Sequence, residues 1–206
     1  LFDPFITGNE LAKGIDINSI EADYILLSHG HNDHVLDTES IAKRTGATII
    51  AAYEVAMWFA AKGIQKYQPM NTGGKWKFDF GTVKCVSAIH SSAMPDGSYG
   101  GNPMGFIILS DEMNFYYSGD TALTLDMQLI PLFANIDFAI LPVGDNFTMG
   151  MEDAVQAAKM VQTKMVIGVH YDTFGFIKID HRKAFDLFKG NELELKLPAI
   201  GETITL

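Results

Sequence analysis

The chain is short of cysteine, of basic residues and of long apolar runs. Its 206 residues include one cysteine, Cys85, so no disulfide can form within the chain, and the cytoplasm is the expected location. Lysine and arginine number 15 against 25 aspartates and glutamates, a formal net charge of −10. That balance argues against broad electrostatic binding to nucleic acid or to an anionic membrane, both of which call for Lys and Arg on one face. The longest stretch without a charged residue, 97–110, is broken by glycine and proline and is shorter than the ~18–20 apolar residues of a membrane-crossing helix. No N-terminal stretch joins basic residues to an apolar run, so no signal peptide is expected. The glycine-rich segment from Gly97 to Pro103 lacks the Lys-Ser/Thr pair of a phosphate-binding loop, which sets a nucleotide cradle aside and leaves a rim or a connecting loop.

Apolar residues are plentiful, at 48% of the chain, enough for a core and too many for wholesale disorder. The length suits one domain over 1–206, or one built from two similar halves. The spacing predicts strands at 23–28 and 48–51, with helices at 37–44 and 54–62 stopped by Gly46 and Gly63. Alternation over 75–80 and 82–86 around Gly81 predicts a hairpin, and 105–109 with 115–118 a second one. Helix 126–135 with Pro131 inside, strand 137–141, helix 152–162, strand 165–169 and helix 180–189 complete an α/β pattern. The opening Leu1-Phe2-Asp3-Pro4 reads as a strand entering a turn, and one or two further strands are expected ahead of it. A weak internal echo aligns 23–31 with 137–145, consistent either with duplicated halves or with chance.

The chemistry gathers at strand ends. His29-Gly30-His31-Asn32-Asp33-His34 puts four metal-ligand side chains into six residues, a density that three idle surface histidines seldom reach. His29 and His31 are two apart, so both can point one way from extended backbone. Asp33 and His34 can join them only if the chain then turns, with Gly30 and Asn32 supplying the freedom. His90, Asp120 and His170 each follow a predicted strand as well, where α/β proteins place their sites. Cys85 reads as a small buried hydrophobe and His181 as a surface residue at a helix start. Asp3 is read either as a turn residue before Pro4 or as a partner for the free nitrogen of a ligand histidine. Asp145, Asn146 and Thr148 follow a strand without an obvious structural duty and are candidate pocket residues.

These motifs, H-x-H-x-D-H, then His90, then Gly119-Asp120, then His170, resemble those of the metallo-β-lactamase superfamily in their order. Ala88-Ile89-His90-Ser91-Ser92 and 144–150 resemble a narrower branch of metal-dependent hydrolases near the ascorbate-6-phosphate lactonases. The resemblance implies a four-layer αββα sandwich with metals at one edge of two facing sheets. It implies two divalent ions, zinc first, with manganese or iron as alternatives. One would take His29, His31 and His90, the other Asp33, His34 and His170, with Asp120 bridging. Two such cations can hold a hydroxide near neutral pH and stabilise charge on a substrate oxygen. Asp33 and Asp120 are then the catalytic carboxylates, Asp33 as the group that orients the hydroxide or carries its proton.

The implied activity is hydrolysis of a small ester, lactone, amide or phosphoester, with no nucleic-acid or membrane partner and with self-association left open. Three alternatives stand beside it. A nuclease of the same superfamily is disfavoured by the acidity and by the lack of a large inserted domain. A diiron redox protein is disfavoured because that branch typically carries Glu where His31 stands and a fused flavin domain. A metal-binding protein without turnover differs only in an assay.

Overall fold

A computed structural model describes residues Leu1–Leu206. The chain forms two compact units, Leu1–Thr72 with Ser91–Met104, and Gly73–His90 with Gly105–Leu206. No helix is long and apolar enough to cross a membrane.

The first unit is a three-stranded parallel sheet ordered β1-β2-β3, with β1 at Tyr24–Leu26, β2 at Thr48–Ala52 and β3 at Tyr67–Met70. Ile25, Ile49, Ile50 and Ala51 are fully buried, which is why these strands read as unbroken apolar runs. Beyond β1, Leu26 N donates to Leu1 O and Asp3 N to Leu26 O, so the first residues extend the sheet. After β1 come a single helical turn, α1 (Asn32–Val35), and α2 (Thr38–Thr45). α2 ends on Gly46 at φ 73°, whose N–H closes on Ala42 O, the stop expected of glycine there. α3 (Tyr53–Ala61) buries Val55, Ala56 and Phe59 and packs on β2 and β3. Two of these elements escape a periodicity reading. α1 is too short to show a period, and β3 carries Pro69, tolerated because an edge strand can lose one ladder donor.

The second unit holds a seven-stranded mixed sheet ordered β10-β9-β8-β7-β6-β5-β4. β4 (Lys75–Phe78) and β5 (Gly81–Ser87) form the expected antiparallel hairpin, and β6 (Met104–Leu109) pairs antiparallel with β7 (Phe115–Tyr117). β7, β8 (Phe138–Pro142), β9 (Met165–Val169) and β10 (Glu194–Lys196) then run parallel. The β8–β9 and β9–β10 crossovers are α4 (Met151–Met160) and α5 (His181–Gly190), and β7–β8 crosses through 118–137, connections that the parallel pairing requires. The expected helix at 126–135 is instead a 3-10 helix at Leu125–Leu132. Pro131 lacks an N–H and would clash with the carbonyl four residues back in an α-helix.

Tyr116, Ala154, Ala158, Val166 and Phe188 share the core of this unit. Phe188 is fully buried on α5, so Phe188→Ala is expected to destabilise the fold by about 3–5 kcal/mol in urea unfolding. Cys85 is likewise fully buried, and burial pushes its thiol up to about 12, which leaves it a hydrophobe rather than a nucleophile.

Candidate metal centre

In the first unit the donors sit where β1 ends. Ser28 and His29 are buried to 1% and 0% exposure, and His34 to 5%. His31 is the last extended residue, at ψ 148°, before α1 turns the chain and brings Asp33 and His34 round. Gly30 contributes space rather than conformational freedom. A Cβ there would stand 2.5 Å from Met94 Sδ and 3.2 Å from the Ala93 carbonyl. The turn itself comes from α1, with Asn32 as an ordinary helical residue.

Asp3 is the hub of this cluster. Its backbone is held at φ 40°, a region few non-glycine residues enter outside sites that need it. Asp3 Oδ1 accepts from Ser28 N at 2.7 Å, and Oδ2 accepts from Ser28 Oγ at 2.5 Å and faces His34 Nδ1 at 2.9 Å. Ser28 Oγ in turn lies 2.9 Å from His29 Nδ1. A hydroxyl has one proton. Ser28 donates it to Asp3 and must therefore accept from His29 Nδ1–H. The network thus places the ring proton on Nδ1 of both His29 and His34 and leaves Nε2 as the lone-pair nitrogen, the arrangement that tunes an imidazole for metal. Burial alone would raise the pKa of Asp3, but the charge of His34 when that ring is protonated, its hydrogen bond, the charge of a protonated His29 and the Ser28 bond outweigh it, and the carboxyl lies below its usual range.

The remaining donors converge. His29 Nε2 and His31 Nδ1 are 2.9 Å apart, and Ser91 Oγ stands 3.4 Å from the other nitrogen of His31. The His29 and His34 rings lie 4.1 Å apart between centroids. Asp33 Oδ2 is 3.6 Å from His34 Nε2, and its side chain keeps 27% exposure.

In the second unit three strand ends each deliver one donor: His90 after β5, Asp120 after β7 and His170 after β9. Asp120 Oδ2 lies 3.6 Å from His90 Nε2 and 3.2 Å from His170 Nε2. Gly119 turns the chain at φ 59°. Ile89 N donates to Thr121 Oγ1 at 2.9 Å and Ala122 N to Ile89 O at 3.0 Å, which ties the His90 segment to the Asp120 loop. His170 is held at φ 53°. A Cβ on Gly144 would collide with the His170 carbonyl oxygen, so the loop after β8 is built around it.

Asp145 and Asn146 are exposed on that loop, at φ 61° and 55°. Asp145 Oδ1 accepts from Asn146 N at 2.8 Å, and half-buried Thr148 bonds Met149 O at 3.4 Å. Phe147 on this loop, 51% exposed, meets Phe176, 78% exposed, edge-on at 6.3 Å. His181 has a structural partner that the sequence did not suggest: its Nε2 lies 2.6 Å from Asp172 Oδ2, and Asp172 Oδ1 accepts from Ile179 N at 3.0 Å, closing the neck of the loop after His170. Ser28 was the other residue missed. Its only sequence signal was its place directly before His29.

Converging imidazole nitrogens beside carboxylate oxygens are the donor set of a divalent transition-metal site, so the residues present fit such an ion. The matches to known proteins agree. A family profile described as a β-lactamase superfamily domain covers residues 1–171. A UPF0173 metal-dependent hydrolase of Christiangramia forsetii is 54% identical over 207 residues, spanning 100% of this chain and 91% of that protein. YtkL of Bacillus subtilis, also named a metal-dependent hydrolase, is 46% identical over 211 residues, again with 100% and 91% covered. Igni18, a metallo hydrolase of Ignicoccus hospitalis, superimposes with a TM-score of 0.86 at 29% identity over 98% of this chain and 88% of its own. With an α/β architecture, a donor set and a full-length sequence match in agreement, the chain belongs to the β-lactamase superfamily and is one of its metal-dependent hydrolases.

Proposed function

We propose that the chain hydrolyses a small ester, lactone, amide or phosphoester with two divalent ions, zinc being the ion assigned. His29, His31 and His90 hold one; Asp33, His34 and His170 hold the other; Asp120 is common to both. The observation that carries this reading is the Asp120 carboxylate, whose Oδ2 is within 3.6 Å of a nitrogen from His90 and within 3.2 Å of one from His170. Those histidines are assigned to different ions, and a carboxylate placed between them is what a bridge requires. When bound, the ions supply Lewis acidity toward a carbonyl or phosphoryl oxygen and make water nucleophilic near neutral pH.

The chain's own residues do the rest. Asp3 and Ser28 orient His34 and His29 and keep their protons on Nδ1. Asp33, the more exposed carboxylate beside His34, would orient the attacking water or carry its proton away. The net charge of −10 favours a small substrate over a polyanion.

Protein reconstituted with zinc is expected to hold about two ions per chain by elemental analysis, in line with two-metal hydrolases. It is expected to turn over lactones or small esters ahead of long RNA when lactones, phosphodiesters and RNA are assayed side by side. A firm stoichiometry of one, with His34 and His170 dispensable, would overturn the two-ion reading. Preferential cleavage of RNA with a steep salt dependence would overturn the substrate class.

A further inference from the structure

The segment 91–104 crosses the first unit as a narrow strap folded on itself. Ala93 bridges Tyr99, Met94 N donates to Ser98 O at 2.8 Å, and Gly100 N to Ser92 O at 3.3 Å. Its tip is anchored to α3: Trp58 Nε1 donates to Asp96 Oδ2 at 2.7 Å, while Ser98 N and Oγ donate to Asp96 Oδ1. The bonds from Ser98 and Trp58 hold the Asp96 carboxyl down at about 2. The base of the strap is closed by one hydroxyl. Ser92 Oγ donates to Gly100 O at 2.8 Å and accepts from Gly30 N at 3.1 Å.

We propose that Ser92 is a positioning residue for the metal ligands His29 and His31, its hydroxyl fixing the backbone between them. Gly30 is the residue between the two ligands, and its N–H belongs to the peptide that follows His29. The direction of that peptide sets where His29 Nε2 and His31 Nδ1 meet, and they meet at 2.9 Å. A hydroxyl is suited to the task because it donates and accepts at once. Neither glycine leaves room for another solution. A Cβ on Gly30 would strike Met94, and a Cβ on Gly100 would strike Ser92 Oγ. Ser92 follows His90 by two residues, so the anchor is encoded beside a third ligand assigned to the same ion. This inference rests on the ligand assignment above but not on the substrate or on the second ion.

The test is metal binding rather than turnover. Apo protein is titrated with Zn(II) against a competing chelator, and with Co(II) while its visible absorption is recorded. Ser92→Ala is expected to weaken the ion assigned to His29, His31 and His90 about 10–100-fold, the usual cost of losing a partner just outside the ligands, and to change the cobalt band intensities. The apo variant should remain folded, its melting temperature lowered only by the Gly30 N–H left unpaired. Gly100→Ala, which displaces the hydroxyl without deleting it, should give the same shift, and Ser92→Thr, which keeps the hydroxyl, should recover most of the affinity. Wild-type affinity and spectrum in Ser92→Ala overturn the proposal. So does a Ser92→Thr variant that binds as weakly as Ser92→Ala, because the hydroxyl is then not the agent. A single bound ion in wild type would defeat the two-ion reading and leave this comparison intact.

Discussion

Asp3→Asn is expected to weaken both assigned ions, by about 10–100-fold each, although Asp3 is assigned to neither. The carboxylate only accepts, and it accepts from Ser28 Oγ and from His34 Nδ1 on the same oxygen. An amide nitrogen in the place of Oδ2 presents N–H groups to both partners, and in the place of Oδ1 it opposes the Ser28 N–H instead. Facing His34, it meets Nδ1 as a donor and drives the ring proton to Nε2, the nitrogen meant for metal. Facing Ser28, it turns the hydroxyl round to donate to His29 Nδ1 and moves that proton to Nε2 as well. Substitution of an orienting Asp by Asn acts through the wrong tautomer in the same way in the serine-protease triad. Nitrogen-15 spectra of the histidine rings in apo protein are the direct check. Unchanged Nδ1–H tautomers, or unchanged zinc affinity, would show that the hub does not govern the ligands. The buried donors left unpaired also lower stability by about 1–3 kcal/mol, measurable in the same apo protein.

Asp120→Asn is expected to lose one ion ahead of the other and to cut hydrolysis by at least about 100-fold, beyond what partners outside the ligand set contribute. A bridging carboxylate would offer negative charge to both cations and offset their repulsion. An amide has one neutral acceptor and does neither. The fold should survive, because Asp120 stands at a strand end fixed by its neighbours: Ser118 Oγ bonds Gly119 O, and Thr121 Oγ1 receives Ile89 N. Asp145→Asn makes the contrast, since its exposed side chain bonds Asn146 N within its own loop. It should keep both ions and alter only rate or substrate affinity. The reverse pattern, with Asp120→Asn holding two ions tightly and Asp145→Asn losing one, would reassign the ligands.

The parts of this design that are local in sequence were legible there. The apolar strands of 23–28 and 48–51, the glycine stop at Gly46 and the six-residue histidine motif each declare themselves within a few positions. The elements that stayed hidden are short or defy propensity: α1 with four residues, β3 with Pro69, and the 3-10 helix around Pro131. The hub stayed hidden for another reason. Asp3 reaches Ser28 over 25 positions and His34 over 31, and nothing in the local pattern around Asp3 distinguishes such a carboxylate from a turn residue before a proline. The sequence suggests Gly30 for its conformational freedom, whereas what requires glycine there is the lack of room beside Met94 and Ala93, a fact of packing.

The strap also sets an order of events during synthesis. Ser92 lies 62 positions after Gly30, which at about 5–20 residues per second leaves the ribosome roughly 3–12 s later. Through that interval the nascent His29–His31 pair has no anchor for the peptide between its rings, although the residues of β1 to β5 have already been synthesised. The ligand pair therefore gains the anchor for its peptide only after the strands of its own sheet have been synthesised, and Asp120 and His170 follow later still, so the complete set of assigned donors exists only once most of the chain has been made.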